Sequence, residues 1–266
     1  MNKKICIVTD RHISLNPRVW KEAKTLSENG YDVSIVTQFN SIYHKQRDEE
    51  LLKDLGIKVK YLPAVSLIKG DEHVLSFLYY RVRVKLFSII KKMGFDSIFL
   101  ATHAPERIYK AALQENADLY IAHEECGMYV GKQLQQKGRK VAFDIEDWHS
   151  HDYLNNLRPV QLLMELEEYV LGHGLYITCP SVEMAKVLHK TYPNSKMPVA
   201  IYNGFPIESD MLPSIPTDKH FTSLVWFSQT IGPGRGLEKI FDSLHRVTSL
   251  VKITLIGNCS DTYKEY

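Results

Sequence analysis

Cysteine is scarce in this 266-residue sequence, and the four cysteines that occur lie far apart. No Cys-x-x-Cys spacing exists among Cys6, Cys126, Cys179 and Cys259. Neighbouring thiols therefore cannot build a zinc cluster or a thioredoxin-type redox site. A chain with these widely separated thiols fits a reducing cytoplasm best.

Long apolar runs and an excess of one charge are also lacking. After the basic N-terminus only Ile5 to Val8 are apolar in succession, which is too short for the core of a signal peptide. No later run reaches the roughly 18 apolar residues that a membrane span needs. Lys and Arg number 33 against 31 Asp and Glu, so the charge balance does not point to nucleic acid. We expect a soluble, cytoplasmic protein with no nucleic-acid partner.

The composition is that of a globular protein. Along the chain, short apolar strands alternate with helical patterns. Because the strand Ile5 to Val8 lacks polar alternation, it should be buried on both faces of a sheet. Strict alternation of strand and helix predicts an α/β fold, a Rossmann-like doubly wound parallel sheet with right-handed crossovers. Strands are predicted at 5–8, 33–36, 59–62, 97–100, 119–122, 140–143, 176–179 and 198–202.

A stretch with three prolines among polar residues, 206–222, interrupts this alternation and is typical of an interdomain linker. Residues 1–205 are predicted to form the first Rossmann-like domain. Residues 223–266 repeat the opening strand, loop, helix and strand only once, whereas a doubly wound domain has about five or six strands. We therefore predict an incomplete second Rossmann-like domain at 223–266.

In each predicted domain, a loop of interest follows the first strand. The loop from Asp10 to Arg18 has no glycine, which argues against a dinucleotide fingerprint. Its Asn16 suits a helix N-cap, and capping and ligand binding both stay open for it. The loop from Ser228 to Gly236 has three glycines and Arg235, which suits a phosphate or diphosphate at a helix N-terminus. A flexible loop with a solvated arginine is the alternative.

An acidic segment, Asp144 to Asp152, follows the strand predicted at 140–143. His149 and His151 within it could bind a metal ion together with carboxylates. No third histidine has a diagnostic spacing, and such loops are most often solvated or cap a helix, so no metal site is expected. His123 ends the preceding strand and is more often structural in such a place.

Residues 73–93 combine an apolar helical stripe with five basic residues and no acid between Glu72 and Asp96. A basic amphipathic helix can lie on an anionic membrane surface. An ordinary helix with its stripe facing the core is the commoner arrangement, and it is the interpretation favoured from the sequence.

Together these segments resemble the GT-B glycosyltransferases, and among them the retaining glycosyltransferase family 4. The opening strand with Asn16 to Arg18 resembles the family's first strand and acceptor-side loop. The segment around Asn203 and Gly204 resembles the one that closes the N-terminal domain. The strand, glycine loop and helix from Leu224 to Glu238 are similar to the start of the donor-binding domain.

The resemblance implies a nucleotide-diphosphate sugar as donor, a glycan or lipid-linked acceptor, and no cofactor or metal. Gln229 stands at the first of two basic positions of the family, and Glu146 stands where a histidine is common. Catalytic roles fall on Glu146 and Asp147. Donor-binding roles fall on Asn203, Gly204, Gln229, Gly234, Arg235 and Gly236. Acceptor-binding roles fall on Asn16, Arg18 and His123.

The function that the resemblance implies is sugar transfer with retention of anomeric configuration. A non-catalytic acceptor-binding module with a vestigial donor domain and a GT-B nucleotide-sugar epimerase are the alternatives. We expect the 266-residue chain alone to be inactive and to self-associate through the incomplete second sheet. We expect a cytoplasmic location, with residues 73–93 as the segment that could contact the inner face of the membrane peripherally.

Overall fold

The computed structural model describes residues 2–63, 74–151, 157–205 and 221–264. These residues belong to two compact units, Met1–Gly204 and Phe205–Tyr266.

The first unit is built on a seven-stranded sheet in the order β3-β2-β1-β4-β5-β6-β7. All neighbouring strands are parallel, which confirms the predicted α/β, Rossmann-like fold. The order reverses between β1 and β4, and ligands of such sheets bind at the carboxyl ends of the strands beside this reversal. The strands are β1 Lys4–Val8, β2 Asp32–Phe39, β3 Lys58–Pro63, β4 Leu119–His123, β5 Val141–Asp144, β6 Ile177–Cys179 and β7 Val199–Ala200.

Helices cover both faces of this sheet. Alternate residues of β1 enter different cores, since Cys6 and Val8 belong to one cluster and Ile5 and Ile7 to the other. The burial of both faces is what the apolar sequence of β1 predicted. The helices are α1 Pro17–Glu28, α2 Ile42–Leu51, α3 Val74–Lys92, α4 Pro105–Glu115, α5 Glu124–Gln136, α6 Val160–His173 and α7 Val182–Thr191.

The strand predicted at 97–100 is wrong. Ile98–Leu100 forms a turn of 3-10 helix, and the Ser97 hydroxyl accepts a hydrogen bond from the Phe99 N–H. Only Ile98 of this turn is buried. A local side-chain cap and a single buried residue therefore favour a turn over the extended conformation that the apolar letters suggested.

The described side chains of α3 include two that pack on Phe99, elsewhere in the first unit. The Phe87 ring stacks on Phe99 with 4.9 Å between centroids, and the Arg83 guanidinium lies 4.7 Å from the same ring. The apolar stripe from Leu78 to Met93 is exposed. The segment is helical, but the prediction that its apolar stripe faces the core is wrong.

Two glycines bring α5 unusually close to the sheet. A Cβ at Gly127 would lie 2.7 Å from the carbonyl carbon of Ala122, and a Cβ at Gly131 would lie 2.4 Å from the Phe143 ring. Real Cβ atoms do not approach other atoms so closely. The close packing lets α5 begin at Glu124 directly after β4, without a connecting loop.

The second unit contains a parallel pair of strands with a helix between them in sequence. Gly257 faces an irregularity in the first strand, and a Cβ there would lie 2.2 Å from the Ser228 carbonyl oxygen. None of the helices in the described ranges of either unit combines the length and the apolarity of a membrane crossing. The elements are β8 Thr222–Ile231, α8 Leu237–Leu244, β9 Val251–Cys259 and α9 Asp261–Lys264.

The glycine contacts of α5 generate a stability prediction. Gly127→Ala should lower the free energy of unfolding by about 1–3 kcal/mol, because the new methyl group would strike the backbone of β4. Gly172→Ala in α6 is the matched control, since nothing lies within 4 Å of its added Cβ, and helix propensity should raise stability by up to about 1 kcal/mol. Urea unfolding followed by circular dichroism measures both changes. Equal effects of the two substitutions would contradict the close packing.

Candidate functional site

Polar side chains from α1, β4 and β5 meet where the strand order of the first unit reverses. We call this group the carboxyl-edge cluster. Because the carboxyl ends of parallel strands share one edge of the sheet, residues far apart in sequence become neighbours here. The cluster consists of Asn16, Arg18, Glu22, His123, Asp144 and Glu146.

His123 lies at the centre of the cluster and is fully buried. Its Nδ1 is 2.8 Å from Glu146 Oε1, and its Nε2 is 2.8 Å from Glu22 Oε2. Burial alone would lower the pKa of His123, but the hydrogen bonds to these two carboxylates hold that pKa well above its usual value. Each ring nitrogen thus lies at hydrogen-bonding distance from a carboxylate, an arrangement that favours the imidazolium form and fixes both glutamates.

Asn16 performs two tasks at the start of α1. Its Oδ1 accepts hydrogen bonds from the backbone N–H groups of Arg18 and Val19 at 3.1 and 3.2 Å. Its Nδ2 donates to Glu146 Oε1 at 2.7 Å. The capping role and the role in a site, which the sequence left open, are thus combined in one side chain.

Arg18 forms a bidentate ion pair with Asp144. Its Nε and Nη2 lie 2.6 and 2.7 Å from the two carboxylate oxygens, and its Nη1 donates to the Ile201 carbonyl at 2.5 Å. Thr178 donates to the same carboxylate at 2.8 Å. Burial would raise the pKa of Asp144, but the Arg18 hydrogen bonds and the charge of His123 lower it. The predicted acceptor residue Arg18 therefore joins α1 to β5 and to the segment after β7.

The two predicted catalytic residues differ in position. Glu146 has 13% of its side chain exposed and receives hydrogen bonds from His123 and Asn16 on one oxygen, Oε1. Asp147 is exposed and takes no part in the carboxyl-edge cluster. The structure thus brings Glu146 together with all three predicted acceptor-side residues.

Three members of the cluster could offer ligand atoms to a metal ion. One atom each of His123, Asp144 and Glu146 lies within 4.8 Å of the others. A histidine ligand must have an unprotonated ring nitrogen, whereas both nitrogens of His123 lie at hydrogen-bonding distance from carboxylates, and Arg18 engages both oxygens of Asp144. In this arrangement two cations of the protein already neutralise the carboxylates, and the donor set does not fit a metal ion.

The alternative metal pair, His149 and His151, does not converge either. His149 is buried with Nδ1 3.4 Å from Glu125 Oε1. His151 is exposed, and its ring lies 3.6 Å from that of Trp148. The two imidazoles therefore serve different local contacts.

Glu124 was missed as a site residue from the sequence. It has a left-handed backbone with φ of 61°, which is unfavourable for a residue other than glycine and often marks a functional position. Its carboxyl is buried, and Arg11 Nε lies 2.8 Å from Oε1. Burial, followed by the charge of Asp10, raises the pKa of Glu124 to about 9. An acid placed directly after a buried strand was the available signal.

The neighbouring carboxyl of Glu125 behaves in the opposite way. Burial would raise its pKa, but hydrogen bonds and charges of His149 and Arg158 lower it to about 2. Adjacent residues at the start of α5 thus present one carboxyl that holds its proton and one that is ionised.

Another buried pair outside the cluster also escaped the sequence analysis. His12 Nδ1 lies 2.8 Å from Asp48 Oδ2, and the Asn40 N–H lies 3.3 Å from His12 Nε2. Since Nε2 accepts, Nδ1 carries the proton and donates to Asp48. Tyr61 also donates to this carboxylate at 3.1 Å, so His12 and Asp48 fasten the loop after β1 to α2.

The predicted donor-binding residues fall on both units. Asn203 and Gly204 are exposed, and Lys21 Nζ lies 2.7 Å from Asn203 Oδ1 and 2.6 Å from the Gly204 carbonyl oxygen. Gln229 and Arg235 are exposed in the second unit.

The glycine loop before α8 is the predicted diphosphate site. Gly234 and Gly236 are left-handed, with φ of 76° and 84°. The Gly234 N–H, however, donates to Glu238 Oε1 at 3.2 Å, and the Tyr263 hydroxyl donates to the same oxygen at 3.1 Å. A hydrogen bond from its own backbone N–H, and then these donors, lower the pKa of Glu238. A carboxylate of the protein itself therefore caps the start of α8.

The raised pKa of Glu124 generates a prediction on pH. The folded chain holds this proton up to about pH 9, whereas the ordinary value is 4.5, so the stabilisation is complete below about pH 4.5 and is lost as the pH rises toward 9. Glu124→Gln stays neutral throughout. Between about pH 5 and 8, the free energy of unfolding should fall with rising pH less steeply in Glu124→Gln than in wild type. The two slopes should differ by up to about 1.4 kcal/mol per pH unit.

Urea unfolding at stepped pH measures this difference in slope. Glu49→Gln, on the exposed part of α2, is the control and should keep the wild-type slope. Identical slopes for Glu124→Gln and wild type would show that Glu124 is ionised in the folded chain.

Comparison with known proteins shows the fold. No protein-family model matches the sequence, and no curated protein matches it. Arabidopsis thaliana UGT89C1 complexed with UDP-L-rhamnose aligns with a TM-score of 0.56 at 11% identity, over 98% of this chain and 70% of that chain. A ugt transferase from Siraitia grosvenorii in complex with UDP aligns at 0.53 and 10% identity, over 96% and 65%.

A Listeria monocytogenes protein described as a UDP-N-acetylglucosamine 2-epimerase aligns at 0.52 and 11% identity, over 100% of this chain and 65% of that chain. The chain thus spans 65% to 70% of the length of these three structures. The chain has the GT-B fold that these nucleotide-sugar proteins share, and the structures do not single out family 4 among them.

Proposed function

We propose that the chain serves the transfer of a sugar from a nucleotide-diphosphate donor to a glycan or lipid-linked acceptor, with retention of anomeric configuration, as in family 4. The observation that carries the proposal is the carboxyl-edge cluster, which holds Glu146 in one orientation at the reversal point of a GT-B sheet. Similar structures were solved with UDP or UDP-L-rhamnose, which supports a nucleotide sugar as donor.

Glu146 is suited to orient a sugar. Both of its hydrogen bonds end on Oε1, so within the described part of the chain Oε2 is left to accept a hydroxyl proton. A carboxylate with one oxygen fixed and one available needs little reorganisation when a substrate binds. Exposed Asp147 is proposed as a second acceptor of sugar hydroxyls.

The acceptor-side residues are proposed to act through position. His123 and Asn16 orient Glu146, and Arg18 holds Asp144 and the backbone after β7. Substitution of any of them would therefore move Glu146 or its surroundings. In this proposal the acceptor contacts the exposed parts of the same edge.

The donor diphosphate is assigned to the loop before α8. Negative charge develops on the leaving diphosphate during transfer, and backbone N–H groups with a nearby guanidinium stabilise such charge. Gly234, Arg235 and Gly236 would supply these groups, with Gln229 as a further donor contact in the same unit. Glu238 would have to turn away from Gly234 before the diphosphate could bind.

The second unit has exposed apolar residues on its two-stranded sheet. Phe227 is 78% exposed, and Val225 and Ile256 are also exposed. Exposed strands with apolar side chains favour association, so self-association through this surface is part of the proposal. The two strands that the structure describes in the second unit enclose little volume, and we expect the 266-residue chain alone to show no turnover.

A nucleotide-sugar epimerase is the second candidate, because the Listeria monocytogenes structure shares the fold. An epimerase changes the sugar without an acceptor. NMR of a UDP-sugar incubated with the chain in the absence of acceptor would show a new epimer in that case. Nucleotide binding without either reaction would favour the non-catalytic module.

The loop before α8 generates a prediction on donor binding. Arg235→Ala should weaken UDP binding about tenfold to a hundredfold, the scale of one charge-assisted hydrogen bond at roughly 1.5–3 kcal/mol. Glu238→Gln should strengthen binding, because the competing negative charge is removed. Lys239→Ala, exposed on the same helix, is the control. Calorimetry with UDP measures all three affinities. Unchanged affinity in Arg235→Ala would show that Arg235 does not bind the diphosphate and that the loop is only structural.

The fixed orientation of Glu146 generates a prediction on turnover. In a preparation that transfers sugar, Glu146→Gln should lower kcat about a hundredfold with little change in UDP affinity, since misorientation of a substrate costs about that much. Addition of a chelator should leave the rate unchanged. Glu49→Gln removes an exposed charge on α2, outside the carboxyl-edge cluster, and is the control. Activity that a chelator abolishes and zinc restores would instead favour His149 and His151 as metal ligands.

A further inference from the structure

An exposed apolar stripe runs along α3. Its members are between 49% and 69% exposed, although large apolar side chains of an amphipathic helix ordinarily face a core. Their spacing of three and four residues places them on one face. The stripe consists of Leu78, Val82, Leu86, Ile89 and Met93. Phe95, just after the helix, is exposed as well.

A row of basic residues lies beside this stripe. Arg81, Lys85 and Lys92 are exposed, and at 3.6 residues per turn their row lies about 80° around the helix axis from the centre of the stripe. No acidic residue occurs between Glu72 and Asp96. The exposed side of α3 therefore presents apolar and cationic groups together, and the helix itself carries no acidic residue.

We infer that α3 docks on an anionic lipid surface. Interfacial helices insert an apolar face about 5–10 Å into the boundary between headgroups and acyl chains, with lysine and arginine at the level of the phosphates. The stripe and the adjacent basic row match this arrangement. Long lysine and arginine side chains can extend from the helix flank toward the headgroups.

Charge argues against a second copy of this chain as the occupant. A twofold interface pairs the same patch on both subunits, so a second α3 would bring two basic rows close together with no acid on the stripe to neutralise them. An anionic bilayer supplies both the apolar layer and the negative charge. The inference does not depend on sugar transfer, because lipid binding requires neither a donor nor an acceptor.

Co-sedimentation of the full chain with vesicles tests the inference. Vesicles of phosphatidylcholine with phosphatidylglycerol should bind the chain at low salt, and vesicles of phosphatidylcholine alone should bind it much more weakly. Each basic residue near an anionic surface contributes roughly fivefold to partitioning. The double variant Lys85→Gln with Lys92→Gln should therefore bind about 25-fold more weakly.

The control is Lys110→Gln with Lys137→Gln, an equal loss of charge at exposed positions away from α3, which should change binding by no more than about twofold because of screening. Val82→Glu tests the stripe, and it should abolish binding while circular dichroism and the melting temperature stay as in wild type.

Three outcomes would overturn the inference. These are equal binding to neutral and anionic vesicles, equal losses in the α3 and control double variants, and absence of vesicle binding, either by a monomer or by a dimer that Val82→Glu dissociates in light scattering. Such a dimer would assign the stripe to a second copy. None of these outcomes bears on UDP binding, which calorimetry measures separately.

Discussion

The ion pair between Arg18 and Asp144 joins four segments of the first unit at the carboxyl edge of the sheet. Its guanidinium comes from α1 and its carboxylate from the end of β5, while Thr178 of β6 and the carbonyl of Ile201 complete the hydrogen bonds. Removing one partner of such a pair costs about 3–5 kcal/mol, because the other charge stays buried. The pair also holds the first turn of α1 against the end of β5, next to the contact between Asn16 and Glu146.

The close packing of α5 completes this arrangement from the other side. With glycines at 127 and 131, the helix lies against β4 and β5 and begins directly after His123. The backbone of Glu124 takes up the left-handed conformation that this abrupt change of direction requires. Sheet packing and site geometry are therefore not separable here, since the contacts that bury the helix also place the side chains.

The sequence predicted the parallel sheet well because buried strands such as β1 are continuous apolar runs with no other explanation. The prediction failed at 97–100, where the Ser97 cap favoured a turn although the residues are apolar. It also failed at α3, where the periodicity identified an apolar stripe but not whether the stripe faces the core or solvent. Asn16, Arg18, His123 and Glu146 were predicted and do converge. Glu22 and Glu124 escaped because their partners are about a hundred residues away in sequence, and only the fold brings them together.

The carboxylate of Glu238 at the start of α8 has a consequence for selectivity. A loop that already holds an anion of its own binds another by exchange, so an incoming ligand gains only the difference between its interactions and those of Glu238. A singly charged anion offers little more than the resident carboxylate. A diphosphate carries more charge and more acceptor oxygens, so its advantage survives the exchange. In the proposed function, this exchange would favour a diphosphate over the abundant simple anions of the surroundings.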